Sequence, residues 1–141
     1  SVEHLSLPTP PPLEPRGAIL ARVAVRGGGE LTVAATHLAN RGDRPGSHPA
    51  HAQLDALLTR LADVAGPVAL LCDLNLGPEL AGEAIAAAGF VRADAPPTFP
   101  SDAPRIAIDW IAVRGLEVVA AEVRDVRASD HRPLVATVSV G

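Results

Sequence analysis

The run Pro67-Val68-Ala69-Leu70-Leu71-Cys72 carries no polar side chain, and Asp73-Leu74-Asn75 follows it at once. A short, wholly apolar run set off by a glycine before it reads as a strand covered on both faces, so the fold must place layers above and below it. The polar groups just past its end are costly to hold beside a core unless they share a site with water, a metal or each other. Three further polar islands sit at or between other strand-like runs: Thr36-His37-Leu38, Asp109-Trp110 and Ser129-Asp130-His131. Positions just past strands project from a rigid scaffold, where functional residues concentrate.

The rest of the chain supplies the layers. Val2 to Arg16 holds five prolines, including Pro10-Pro11-Pro12, and reads as an extended connector over residues 1–16. Ala18 to Val25 and Leu31 to Thr36 read as a hairpin turned by Gly27-Gly28-Gly29. That glycine triplet lacks the Lys-Ser/Thr ending of a phosphate loop. Asn40 to Pro49 is a polar loop. His51 to Val64 carries Leu54, Leu57, Leu58 and Leu61 at helical spacing, stopped by Gly66-Pro67. Glu79 to Ala88 predicts a second helix ended by Gly89. Closing strands are expected at Ile106 to Val113, Leu116 to Val123 and Leu134 to Val140.

Composition narrows the classes. The 141 residues fit one domain, and 48% hydrophobic content with a mean hydropathy of +0.22 argues against disorder. Phe90, Phe99 and Trp110 are the whole aromatic set, so the core must be aliphatic. A net charge of −4 excludes strong nucleic-acid binding through bulk charge. Every basic residue is Arg; this reads as coding bias, with phosphate recognition by guanidinium groups as the alternative. The single cysteine, Cys72, excludes an internal disulfide and reads as a packed apolar side chain. No secretory signal and no apolar run of membrane-spanning length is visible; because the sequence reads as starting mid-protein, the location is left open, with the cytoplasm slightly favoured.

The islands carry the chemistry. Alternation places Asp73 and Asn75 on one side of their segment, where a carboxylate can hold a hard cation and a carboxamide can donate to a phosphoryl oxygen. An Asx turn into Gly77-Pro78 is the competing reading. Asp130-His131 pairs a candidate metal ligand with a group that titrates near neutrality. Asp109 interrupts an apolar run and needs a partner, for which a histidine is natural. His37 ends a strand. Two imidazoles, three carboxylates and one carboxamide in such places point to hydrolysis at phosphorus.

Taken in order, Thr36-His37-Leu38, Asp73-Leu74-Asn75, Thr98-Phe99-Pro100, Ile108-Asp109-Trp110-Ile111 and Ser129-Asp130-His131-Arg132-Pro133-Leu134 resemble the endonuclease/exonuclease/phosphatase superfamily, from about Arg16 onward. The resemblance implies an α+β fold of α/β layers, a partial four-layered sandwich with two mixed β-sheets flanked by helices. It implies a metal-dependent phosphoester hydrolase using Mg²⁺ or Mn²⁺. Asp130 would belong to the metal site and His131 would be the base, oriented by Asp109. Asp73 and Asn75 would position the attacking water and hold the phosphate, and His37 would bind or protonate the phosphoryl group. Arg132 would anchor its loop. The sequence departs from the family pattern at Cys72, where Gly is usual, at Leu74, where an aromatic is usual, and at Trp110, where Tyr is common.

The family's first strand and its Gln-Glu segment, which supplies the main metal ligand, have no counterpart in the sequence. Residues 17–141 are therefore expected to be the C-terminal part of such a domain, working with an N-terminal half of the same protein. The substrate is expected to be a phosphoester: a nucleic acid, a phospholipid head group or a small phosphodiester. A non-catalytic scaffold with an incomplete metal site is the alternative.

Overall fold

The computed structural model describes residues 1–40 and 48–139. Ten elements follow in the order β1 (Val2–Leu7), β2 (Arg16–Ala24), β3 (Glu30–His37), α1 (Pro49–Ala62), β4 (Val68–Asp73), α2 (Pro78–Ala87), β5 (Val91–Arg92), β6 (Asp109–Arg114), β7 (Glu117–Val123) and β8 (Leu134–Ser139). Six strands form one mixed sheet in the order β1-β2-β3-β4-β6-β5, and β7 and β8 pair antiparallel in a second. The expected α+β class and two-sheet plan hold, with the second sheet antiparallel rather than mixed. Residues 41–47 of the expected polar loop, and the end of the last strand at Val140, lie outside the described residues. Among the described residues no helix is long and apolar enough to cross a membrane.

The sheet sorts its residues into rows. Leu20 lies opposite Ala34, Ala34 beside Leu70, and Leu70 opposite Ala112. All four are buried, in one cluster with Leu54, Leu57, Leu58 and Leu61 of α1 and with Ala81 and Ile85 of α2. Both helices therefore cover the same face. The neighbouring row, Ile19, Ala35, Leu71 and Ile111, points to the other face. Leu71 is 39% exposed there and Ile19 46%, so this face is apolar and open. Leu70 sits in the innermost row on the helix side, and Leu70→Ala is expected to cost about 2–5 kcal/mol in denaturant unfolding, the usual range for a truncated core leucine. A loss under about 1 kcal/mol would place it outside the core.

Residues 1–16 are not all connector, because Val2–Leu7 is an edge strand paired with β2 from Val2 against Ala21 to Leu7 against Arg16. The five prolines begin only at Pro8, after the strand has ended. Arg60 of α1 fastens this strand through Glu3, with its Nη2 2.6 Å from the carboxylate. The sequence also gave no sign of β5, which has two residues. The strand expected from Ile106 begins at Asp109, and Ile106 makes an isolated bridge with Phe99 instead.

The glycine turn forms as expected. The Val25 N–H reaches Gly29 O and the Gly28 N–H returns to Val25 O, with Gly27, Gly28 and Gly29 all at positive φ. Glycine adopts that region without the clash of a Cβ.

Candidate active site

Three of the predicted residues lie in one row across three adjacent strands. His37 ends β3, Asp73 ends β4 and Asp109 begins β6, and the pairing sets His37 beside Asp73 and Asp73 opposite Asp109. This row lies two residues on from Ile19, Ala35, Leu71 and Ile111, so it projects from the same open face at the end of the sheet. The backbone beyond the strands is tied down. The Leu38 N–H donates to Asp73 O and the Leu74 N–H to Ile108 O, both at 2.9 Å. Leu74 and Leu76 are fully buried, and Trp110 Nε1 donates to Leu76 O at 2.9 Å. The segment thus alternates: Leu74 and Leu76 anchor it in the core, while Asp73 and Asn75 line the cleft.

A buried glutamine fixes the other side. Gln53 Oε1 accepts the Ala39 N–H at 2.8 Å, and its Nε2 donates to Pro8 O and Thr9 Oγ1. The turn after β3 is therefore held to the helix layer.

His131 comes from the loop before β8. Its Nδ1 lies 2.6 Å from Asp109 Oδ2, and its Nε2 lies 3.8 Å from Asp73 Oδ2. His37 Nε2 approaches the same Asp73 oxygen at 3.4 Å. The two imidazoles therefore meet on one carboxylate. Thr98 Oγ1 donates to Asp109 Oδ2, and the Phe99 ring packs 4.8 Å from the His131 ring. The loop carrying His131 is held by Ser101, whose N–H donates to Asp130 O and whose Oγ donates to Ser129 O. Arg132 anchors it as expected: Nε donates to Ser101 O at 2.7 Å and Nη2 pairs with Asp125 at 3.2 Å.

Asn75 serves the turn as well as the cleft. Its N–H donates to Asp73 Oδ1 at 2.9 Å, an Asx-type bond, and its Nδ2 donates to Leu38 O. Its φ of 51° is one that asparagine tolerates better than most residues. Asp130 is exposed; its carboxylate accepts the Ser129 hydroxyl at 3.0 Å. Cys72 is buried, and burial pushes its thiol well above the usual range, so it is an inert packing residue.

The electrostatics follow from this packing. Burial raises the Asp73 carboxyl; the Asn75 N–H opposes that, Asp109 adds to it, and the two imidazoles oppose it, leaving it above its ordinary value. Burial works to lower His131, but the hydrogen bond and charge of Asp109, with the charges of Asp73 and Asp130, outweigh it and raise the imidazole above 6.5. Because a carboxylate only accepts, the neutral ring carries its proton on Nδ1, and Nε2 presents a lone pair beside Asp73.

His37, Asp73, Asn75, Asp109, Asp130 and His131 all line one cleft of about 1020 Å³. Donor atoms of Asp73, Asp109 and His131 lie within 4.8 Å of one another, close enough to share a cation. Asp130, the residue expected at the metal, stands outside that trio and at the rim of the cleft. The sequence marked Thr98 only as part of the Thr98-Phe99-Pro100 island of the family resemblance and assigned it no role, since a Thr among prolines carries no periodicity that would give it one.

This arrangement of sheet, helices and cleft is the endonuclease/exonuclease/phosphatase fold, in agreement with the resemblance drawn from the islands. The structure of an endonuclease/exonuclease/phosphatase from Beutenbergia cavernae matches all of this chain and 45% of its own, at a TM-score of 0.83 and 26% identity. The catalytic domain of human Nocturnin, solved with a bound sulfate anion, matches 100% of this chain and 59% of its own at TM-score 0.79 and 21% identity. A mannosyl-6-phosphatase from Bacteroides thetaiotaomicron matches 99% and 66% at TM-score 0.77 and 16% identity. Among curated proteins, two UPF0294 proteins of Vibrio cholerae, from the classical Ogawa and El Tor Inaba strains, are 34% identical over 129 residues. That match covers 86% of this chain and 44% of theirs, so the chain spans less than half the length of these relatives. No family model matches the sequence.

Proposed function

We propose that this chain carries the water-activating side of a metal-dependent phosphoester hydrolase. The observation that supports it is the meeting of His37, Asp73, Asp109 and His131 on the open face of one sheet end, in a cleft. His131 takes the proton of the attacking water at Nε2, while Asp109 holds the ring by Nδ1 and stabilises the imidazolium that forms. Asp73 lies beside both imidazoles and orients the water. His37, more exposed than His131, binds the phosphoryl group or returns a proton to the leaving oxygen. Asn75 holds the segment carrying Asp73 in place.

The donor set fits a hard divalent cation, Mg²⁺ or Mn²⁺. Asp73 and Asp109 face each other in the cleft, and the Asp109 charge disfavours the ionised form of Asp73, a conflict that a cation relieves. Asp130 is the oxygen donor that the family resemblance would assign to it, standing at the rim of the cleft outside the Asp73, Asp109 and His131 cluster. Such a cation offsets the charge that builds on the phosphoryl oxygens. The substrate is a phosphoester, and the mannosyl-6-phosphatase among the similar structures favours including phosphomonoesters beside diesters.

The test is turnover of bis(p-nitrophenyl) phosphate and of p-nitrophenyl phosphate by the full-length protein, with Mg²⁺ and after EDTA. Hydrolysis that chelation abolishes and Mg²⁺ restores is expected. The pH profile carries a second expectation. His131 must be neutral to act, and its raised pKa keeps it protonated to higher pH, so kcat/KM climbs through a midpoint above 6.5. Asp109→Asn replaces the carboxylate that raises the ring by a neutral amide, so the midpoint moves down as the rate falls. No hydrolysis of either ester, or a rate flat across the neutral range, would contradict the reading.

A further inference from the structure

Asp109 Oδ2 has two partners, His131 Nδ1 and the Thr98 hydroxyl. Thr98 is 1% exposed and cannot turn away. Its N–H donates to Ile106 O, and its carbonyl accepts the N–H of Arg132, the residue after His131. One residue thus touches the carboxylate through its side chain and the histidine's loop through its backbone. Phe99, next in sequence, packs on the His131 ring. A carboxylate turns easily about its last torsion, and a single imidazole contact at one oxygen does not prevent that. A second donor on that same oxygen does.

We propose that Thr98 is a positioning residue for His131, acting through Asp109: its hydroxyl holds Oδ2 toward the ring, so that Nδ1 keeps the proton and Nε2 stays free. The role rests on the hydrolase reading, yet one of its consequences is visible without turnover. Valine matches threonine in shape and removes only the donor; serine keeps the donor and removes a methyl group.

The experiment compares Thr98→Val and Thr98→Ser in the full-length protein. For Thr98→Val, kcat should fall by roughly 10-fold to 100-fold, the usual effect of losing an outer partner of a site histidine, with KM held within about two-fold. Thr98→Ser should stay within about three-fold of wild type. Imidazole ¹⁵N spectra at alkaline pH, where the ring is neutral, give the second readout. His131 should carry its proton on Nδ1 in the wild type and in the serine variant, and should become a mixture of tautomers in the valine variant. Unchanged kcat and tautomer in Thr98→Val would overturn the proposal, and so would a serine variant as impaired as the valine one, since that marks packing rather than the hydroxyl. If the wild type hydrolyses neither ester, the hydrolase reading fails and the tautomer alone decides: mixed in valine and fixed in serine supports the role, fixed in both overturns it.

Discussion

His131→Ala is expected to lower kcat by roughly 10² to 10⁴, the range for a general base lost from its site. The ring supplies the one neutral nitrogen that the geometry fixes: Nδ1 is held by Asp109 at 2.6 Å, and Nε2 looks toward Asp73. No neighbour replaces it. His37 approaches the same Asp73 oxygen, but its side chain is 56% exposed against 25% for His131, and no carboxylate on the far side of its ring is seen among the described residues to fix the tautomer. Water can fill the space left in the variant, and Asp109 keeps its bond from Thr98, so folding should survive. Near-normal kcat in a folded His131→Ala protein would remove the imidazole from the mechanism.

Asp73→Asn is expected to lower kcat by about 10² to 10³ while leaving stability equal or higher, a loss of the size seen when a preorganised electrostatic group is removed. Asp73 Oδ1 accepts the Asn75 N–H, and an amide nitrogen there would set two donors against each other. The asparagine therefore keeps its oxygen on that side and turns its NH₂ toward the imidazoles. That NH₂ sits where Asp73 Oδ2 now lies, 3.4 Å from His37 Nε2 and 3.8 Å from His131 Nε2, and puts a donor where the water must be held by an acceptor. Stability moves the other way. The folded-state pKa of Asp73 is raised, so its ionised form costs stability above the unfolded carboxylate range, and a neutral amide removes that cost. Loss of activity with retained or increased melting temperature is the pattern of a site residue held against its own folding preference. A variant that melts far below wild type would show that Asp73 holds the structure together.

Much of this was legible in the sequence, for physical reasons. Leu54, Leu57, Leu58 and Leu61 repeat at helical spacing because one stripe of α1 must meet the sheet, and all four are buried. The apolar run ending at Cys72 marked the central strand but not its covering: Leu70 packs under the helices, whereas Leu71, expected to be covered too, faces the open side and is 39% exposed. Asp73, Asp109 and His131 stood out because polar groups at such ends need partners, and the partners proved to be one another. Register was not legible. That His37, Asp73 and Asp109 fall in a single row depends on how three strands align, which a one-residue slip would undo. Val2–Leu7 was hidden by prolines that follow it in sequence, and β5 is too short to show a period. Thr98 stood in one of the family-like motifs, but its bond to Asp109 did not show: the contact is made eleven residues away, by a hydroxyl that occurs equally well in any loop.

The central claim is that these residues work as one unit on a phosphoester. The double variant Asp73→Asn/His131→Ala, assayed on bis(p-nitrophenyl) phosphate with Mg²⁺ beside both single variants, tests it most directly. If the carboxylate and the imidazole serve one proton transfer, the double variant should be no slower than the worse single one, within about three-fold. Losses that multiply, or single variants that turn over at the wild-type rate, would contradict it.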